Sequence, residues 1–268
     1  MNSDHSPRTG FTAPAKKQLG QHFLADKYYV EKIVMAVDPK GDDRLVEIGP
    51  GQGAITFPLL RRHPRLTVIE FDRDLIAPLT EAAAPLGELT IVHSDVLRVN
   101  FTELAAGSTI RLVGNLPYNI SSPILFHALD HAAAISDMTF MLQKEVVDRM
   151  AAGPGSKVYG RLSVMLQAFC EVRALFVVPP GAFRPPPKVD SAVVRLIPRD
   201  PASVGINDRK RFADVVRAAF GQRRKTLRNA LNGVIDQAQF EAAGVRSDAR
   251  AEQLEVADFI RLANLPHE

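Results

Sequence analysis

The stretch Gly114-Asn115-Leu116-Pro117-Tyr118-Asn119 gathers a carboxamide, backbone carbonyls and an aromatic ring at one point of the chain. An apolar run, Ile110 to Val113, precedes it and reads as a buried strand. The proline then stops strand pairing. Ser121 or Ser122 as cap, with Pro123 in the first turn, signals a following helix. The polar groups therefore stand at the carboxyl end of a strand, where open α/β sheets bind ligands. Oxygens held there can accept from an exocyclic amine while the ring stacks, so a flat, amine-bearing heterocycle suits them. An ordinary strand-to-helix turn would have the same composition, and these residues alone do not choose between the two.

A second group lies upstream in Glu47-Ile48-Gly49-Pro50-Gly51-Gln52-Gly53. Gly49 and Gly51 let a ligand approach the backbone closely. Glu70 follows about 20 residues later, at the end of the next expected strand, where an acid can take both hydroxyls of a ribose. Asp95, after a third strand, can accept from an adenine amine. Together these positions fit a ligand with a ribose and a base. Gly49-x-Gly51-x-x-Ala54 also satisfies a dinucleotide fingerprint. Against a nicotinamide cofactor, no proton-transfer residue stands out near the strand ends. The acid before the glycines, the acid after the third strand and an expected terminal hairpin favour S-adenosylmethionine, with an NAD oxidoreductase as competitor.

Other reactive residues lead elsewhere. His127 and His131 have metal-ligand spacing on an expected helix. No third ligand accompanies them, so no metal site is expected. Cys170 is the single cysteine. It falls in a stretch that reads as an apolar helix, as a buried structural thiol, and it fits a reducing cytoplasm.

Alternating elements position these residues. A helix capped by Asp26 ends at Asp38-Pro39. Strands are expected at Leu45–Ile48, Leu66–Glu70, Leu89–His93, Ile110–Gly114 and Met138–Leu142, with helices between them. That alternation means a parallel sheet covered on both faces. Val172–Val178 and Ala192–Ile197 follow without an intervening helix and suggest an antiparallel terminal hairpin. Beyond Pro198–Gly205 only helical patterns remain. The fold expected is α/β: a Rossmann-like, mostly parallel sheet with a small all-α C-terminal domain. The domains expected are a flexible tail at residues 1–15, a catalytic domain at 16–205 and a helical domain at 206–268.

The chain has 268 residues, 46% hydrophobic and 24% charged, which supports a sizeable core and excludes a disordered chain. No apolar run is long enough to span a bilayer. The net charge of +3 is modest, but Arg223, Arg224, Lys225 and Arg228 cluster, as do Lys16-Lys17 and Arg209-Lys210-Arg211. Such clusters attract phosphate backbones, although each alone also suits a solvated helix face.

Lys17-Gln18-Leu19-Gly20-Gln21-His22-Phe23-Leu24, Val46 to Gly51, Val68-Ile69-Glu70, Gly114 to Asn119, Met141 to Glu145 and Phe183-Arg184-Pro185-Pro186-Pro187-Lys188-Val189-Asp190-Ser191 occur in one consistent order. In this combination the chain resembles the ribosomal RNA adenine dimethyltransferases, most of all their bacterial small-subunit branch. The resemblance implies a class I S-adenosylmethionine-dependent methyltransferase. It would dimethylate the N6 amines of two adjacent adenosines in a hairpin loop near the 3′ end of small-subunit ribosomal RNA. A 30S precursor particle is then the expected partner, and the cytoplasm the expected location. Carried over, the donor contacts are His22, Leu24, Gly49, Glu70, Asp95 and Asn115; one departure is His22, where the family often has asparagine. Asn115, Leu116, Pro117 and Tyr118 would hold the target base, with Phe183 on an exposed proline-rich loop covering its other face. Arg223, Arg224, Lys225 and Arg228 would hold RNA. A DNA adenine methyltransferase and a non-catalytic RNA-binding assembly factor are the competing expectations.

Overall fold

A computed structural model describes Lys16, residues 21–222 and residues 224–266. The expected tail at 1–15 and Arg223 lie outside the described residues. The chain runs through β1 (Phe23–Leu24), α1 (Lys27–Val37), β2 (Leu45–Ile48), α2 (Thr56–Arg62), β3 (Arg65–Glu70), α3 (Arg73–Ala83), β4 (Glu88–His93), α4 (Phe101–Ala105), β5 (Ile110–Asn115), α5 (Ser121–Asp130), β6 (Ile135–Gln143), α6 (Lys144–Ala151), α7 (Arg161–Phe169), β7 (Cys170–Val178), β8 (Phe183–Arg184) and β9 (Ser191–Pro198). Helices follow: α8 (Pro201–Val204), α9 (Arg209–Gly221), α10 (Leu227–Ala230), α11 (Gln237–Ala243) and α12 (Val256–Ala263).

Seven strands form one sheet in the order β4-β3-β2-β5-β6-β9-β7, and β1 pairs with β8 in a separate two-stranded ribbon. The pairs β2–β3, β2–β5, β3–β4 and β5–β6 are parallel. This is the expected Rossmann-like α/β fold. Strand order reverses between β2 and β5, because β3 and β4 lie on one side of β2 and β5 and β6 on the other. The carboxyl ends of β2 and β5 thus flank a switch point, where a ligand crevice opens. β2 is buried along its whole length and its residues are mostly apolar, as a central parallel strand must be.

The chain divides into two compact units. The first holds the described residues up to Lys144 together with Leu175–Arg195. Its core packs α1, α2 and α3 against the sheet through Val34, Val37, Leu59, Val68 and Leu79, all fully shielded from solvent. The second holds Glu145–Ala174 and Leu196 onward. Whereas the expected division fell at a single cut near residue 205, α6 and α7 group with the C-terminal helices. In that unit α12 packs on α7, α9 and α11. Phe212, Val215, Val216 and Ala219 form the buried face of α9, and Phe220 lies against Phe259 with ring centroids 5.6 Å apart.

Three local expectations need correction. α5 is capped at Ile120 with no side-chain bond, and neither Ser121 nor Ser122 is the cap. Ser121 is buried and its hydroxyl donates to the Tyr118 carbonyl at 3.2 Å, which tightens the preceding turn instead. Cys170 opens β7 rather than closing a helix. The thiol is fully buried, as expected, and burial pushes its pKa up to about 12. The stretch after Leu227 gives only the four-residue α10, while Gln237–Ala243 forms a helix the periodicity did not single out.

Candidate active site

The tetrapeptide leaves the sheet at the carboxyl end of β5. Gly114 permits this because a Cβ there would stand 2.5 Å from the Ile48 carbonyl oxygen of β2. Asn115 is the last paired residue, in register with Met141 of β6. Its carboxamide Nδ2 donates to the His22 carbonyl at 3.0 Å. Among the described residues no donor reaches its Oδ1. Leu116 is buried and anchored through its N–H to the Met141 carbonyl at 3.0 Å. The Pro117 carbonyl accepts from the Ile120 N–H at 3.2 Å. The Leu116 carbonyl accepts from no group among the described residues. Two oxygens next to each other in sequence are thus left to a ligand.

Tyr118 is half-buried, and its hydroxyl lies 2.6 Å from the Ser191 Oγ. Burial raises its pKa, and the Ser191 bond offsets this only in part, so the phenol stays neutral. The His22 ring stacks on it, with centroids 5.7 Å apart and planes 26° from parallel. Nδ1 of His22 donates to the Pro185 carbonyl at 3.0 Å.

Across the switch point the glycine loop takes left-handed backbone. Gly49 has φ +67° and Gly51 φ +55°. At Gly53, φ +81°, a Cβ would stand 2.4 Å from the Phe57 ring. The Gly49 N–H is held by the Ile69 carbonyl at 2.9 Å. Glu70, at the end of β3, accepts from the Asp72 N–H at 2.7 Å and the Gly51 N–H at 3.3 Å. It is 6% exposed, and burial raises its pKa against the effect of these bonds. Asp95 caps the turn after β4 through the Leu97 N–H at 3.0 Å. Glu47 is buried beside them and accepts from Thr56 Oγ1 at 2.6 Å. Burial pushes its pKa up to about 8, reinforced by Glu70 and opposed by the Thr56 bond.

These groups line one cavity of ≈ 270 Å³. His22, Leu24, Gly49, Gly51, Glu70, Asp95 and Asn115 to Tyr118 all face it. Phe183 does not. Expected on an exposed loop, it is fully buried in the hydrophobic core, paired with Leu24 across the β1–β8 ribbon. The three prolines after it suggested exposure, but strand pairing carries the ring inward. Of the expected RNA-binding residues, Arg224 and Lys225 are exposed in the turn between α9 and α10. Arg228 is exposed but donates to Gln237 Oε1 and Ser247 Oγ at 3.2 and 3.1 Å. His127 donates to the Val99 carbonyl at 2.8 Å, and His131 Nδ1 lies 2.9 Å from the Thr102 hydroxyl. Two further residues line the cavity, Gln21 and Glu47; Glu47 carried the signal of an acid before a glycine loop, and Gln21 gave none. Asp72, which read only as a helix cap, also bonds Gln21 and, through its N–H, Glu70.

A sheet of this order with a glycine loop after its central strand, an acid ending the next and an acid after the third has the class I methyltransferase fold. The chain belongs to the ribosomal RNA adenine dimethylase family, whose model matches residues 13–267. Proteins called ribosomal RNA small subunit methyltransferase A are similar to it along nearly their full length. Those of Xanthomonas euvesicatoria pv. vesicatoria and Xanthomonas campestris pv. campestris are each 81% identical over 257 residues, covering 96% of this chain and 98% of theirs. Among solved structures, a dimethyladenosine transferase from Plasmodium falciparum superposes with a TM-score of 0.77 at 26% identity, covering 90% of this chain and 96% of that one. The 23S rRNA methyltransferase ErmE superposes with a TM-score of 0.70 at 26% identity, over 90% and 98% of the two chains.

Proposed function

We propose that this chain dimethylates the N6 amines of two adjacent adenosines in a hairpin loop near the 3′ end of small-subunit ribosomal RNA, with S-adenosylmethionine as donor and a 30S precursor as substrate. The observation that carries this is the pair of unclaimed oxygens, Asn115 Oδ1 and the Leu116 carbonyl, in the same cavity as Glu70 and Asp95. Family membership supports RNA over DNA, and the relatives' name supports the small subunit.

The residues present suit the donor. Glu70 is aimed by two backbone N–H groups and can accept from ribose hydroxyls. The left-handed glycines leave the backbone open to close approach. Asp95 is placed for the adenine amine, and Leu24 closes the wall. When bound, the donor supplies a sulfonium methyl that is already electrophilic.

The chain's task is then to prepare the nucleophile. An adenine amine is flat because its lone pair is delocalised into the ring. Asn115 Oδ1 and the Leu116 carbonyl accept its two hydrogens, so the nitrogen pyramidalises and its lone pair turns out of the ring. The Pro117 carbonyl already accepts from the Ile120 N–H, which makes the Leu116 carbonyl the freer acceptor. This is orientation with electrostatic stabilisation, without a formal base; the alkylated nitrogen loses its proton to water. Tyr118 stacks on the base, a contact worth roughly 1–3 kcal/mol. With His22 on one face of Tyr118, the base takes the other. A loop adenine is partly unstacked already, so turning it into the cavity costs less than from a duplex. In the helical part of the chain, Arg224, Lys225 and Arg228 hold phosphates, with Arg223 beside them in sequence.

The test offers labelled donor and purified chain three substrates: unmethylated 30S precursors, free ribosomal RNA and DNA. The expected result is N6,N6-dimethyladenosine in the ribosomal RNA. Transfer to DNA alone, or donor binding without transfer to any of them, would overturn the proposal.

A further inference from the structure

A path of hydrogen bonds that the chemistry above leaves unused runs from the cavity wall to the residues behind it. Asn115 Nδ2 donates to the carbonyl of His22. The neighbouring residue, Gln21, donates through Nε2 to Asp72 Oδ2 at 3.1 Å and accepts at Oε1 from the Lys16 N–H at 2.8 Å. Lys16 Nζ reaches Asp72 Oδ1 at 2.6 Å and Asp74 Oδ2 at 2.7 Å. The Asp72 N–H returns to Glu70 Oε1. Phe23 lies against the loop as well, since a Cβ on Gly51 would stand 3.1 Å from its ring. Asp72 is only 5% exposed, whereas Asp74 is an open surface carboxylate. A helix cap needs one oxygen. Asp72 Oδ1 serves the Asp74 N–H at 3.2 Å, and its other oxygen is left to hold Gln21.

We infer that Asp72 and Gln21 are positioning residues for methyl transfer: they fix the segment carrying the His22 carbonyl, and that carbonyl fixes the Asn115 carboxamide with Oδ1 toward the target amine. An amide can present either end. Holding Nδ2 on a backbone carbonyl selects the rotamer that offers the oxygen, and the carbonyl is only as well placed as its segment. Glu70 is held instead by the backbone N–H of Asp72, a bond that substitution of the Asp72 side chain leaves in place. Burial works to raise the Asp72 pKa, but the Lys16 and Gln21 bonds outweigh it and keep the carboxylate ionised. This inference rests on Asn115 being the amine acceptor.

The experiment uses the full chain, unmethylated 30S precursors and S-adenosylhomocysteine as the donor-site probe. Gln21→Ala and Asp72→Asn are compared with wild type and Asn115→Ala. Asparagine keeps the helix cap and the backbone N–H to Glu70, and Gln21 caps nothing, so neither variant removes a folding element. The expected result is a fall in kcat of about tenfold to a hundredfold for each. The KM for the particle and the affinity for the probe should change less than about threefold, and the double variant should be no worse than the lower single one, since both act through one contact. Wild-type kcat in both variants, with Asn115→Ala inactive, overturns the inference and leaves the acceptor assignment standing. An active Asn115→Ala overturns that assignment instead. Equal losses in kcat and probe affinity would show a general loss of structure and also overturn the inference.

Discussion

The two ends of β5 carry polar groups of similar burial and opposite design. At the amino end, Arg111 spends its guanidinium completely. Its Nε and Nη2 take both oxygens of Asp137 at 2.8 and 2.9 Å, Nη1 takes Asp43, and the Val37 and Asp38 carbonyls accept as well. Burial works against its charge, but the two carboxylates hold its pKa above the ordinary arginine value. At the carboxyl end, Asn115 spends one N–H and keeps its oxygen open. Glu70 there is held by two backbone N–H groups and Glu47 by the Thr56 hydroxyl, with no cation paired to either among the described residues. A saturated network stabilises a fold and binds nothing further, while an unsaturated one stores hydrogen-bonding capacity for a ligand. At the open end Gly49 and Gly51 leave the backbone itself free to be approached.

Substitutions break this contrast in a graded way. Asn115→Ala has the largest expected effect, a loss of roughly 10²–10³-fold in transfer with a much smaller loss of donor affinity. Labelled methyl incorporation beside a donor titration checks it. Arg111→Met should do the reverse. It strands Asp43 and leaves Asp137 only Arg195, 3.6 Å away, and costs about 2–3 kcal/mol, below a fully buried pair because both ends keep some exposure. Urea unfolding should show the loss while donor affinity of the folded protein holds. Stable protein that no longer binds donor would break the comparison.

Glu47→Gln sharpens the contrast through pH. Unfolded, Glu47 ionises near its ordinary value of 4.5; folded, it keeps its proton until about pH 8. Folding therefore retains a proton across that window, and its contribution is lost as pH rises. Wild type should lose stability relative to Glu47→Gln between those values, with the two parallel below pH 4.5. The smallest effect is expected in the C-terminal helical part of the chain. Arg224→Glu with Lys225→Glu should weaken particle binding and flatten its salt dependence by somewhat less than one unit of slope per lost phosphate contact, leaving donor affinity unchanged.

Much of this contrast could be read from the chain before folding. β2 matches its expected span at Leu45–Ile48, because a short apolar run between turn residues leaves little freedom. Glu70, Asp95 and Asn115 fall at strand ends as expected, since the alternation of strands and helices places them there. Phe183 was misjudged because prolines report backbone stiffness rather than exposure, and its burial comes from pairing with Leu24, far away in sequence. The Arg111 network and the Gln21–Asp72 brace were invisible for the same reason. Their partners are separated by tens of residues, and Asp72 already had a sufficient local explanation as a cap. The choice between the Leu116 and Pro117 carbonyls needed the turn itself, where the Ile120 N–H claims one of them.

The central claim is most directly tested by mapping N6,N6-dimethyladenosine along ribosomal RNA from cells that have the protein, lack it, or carry only Asn115→Ala. The account predicts two adjacent dimethylated adenosines near the 3′ end of small-subunit RNA in the first, and none at those positions in the other two. An unchanged map without the protein, or full dimethylation in cells carrying only Asn115→Ala, would contradict it.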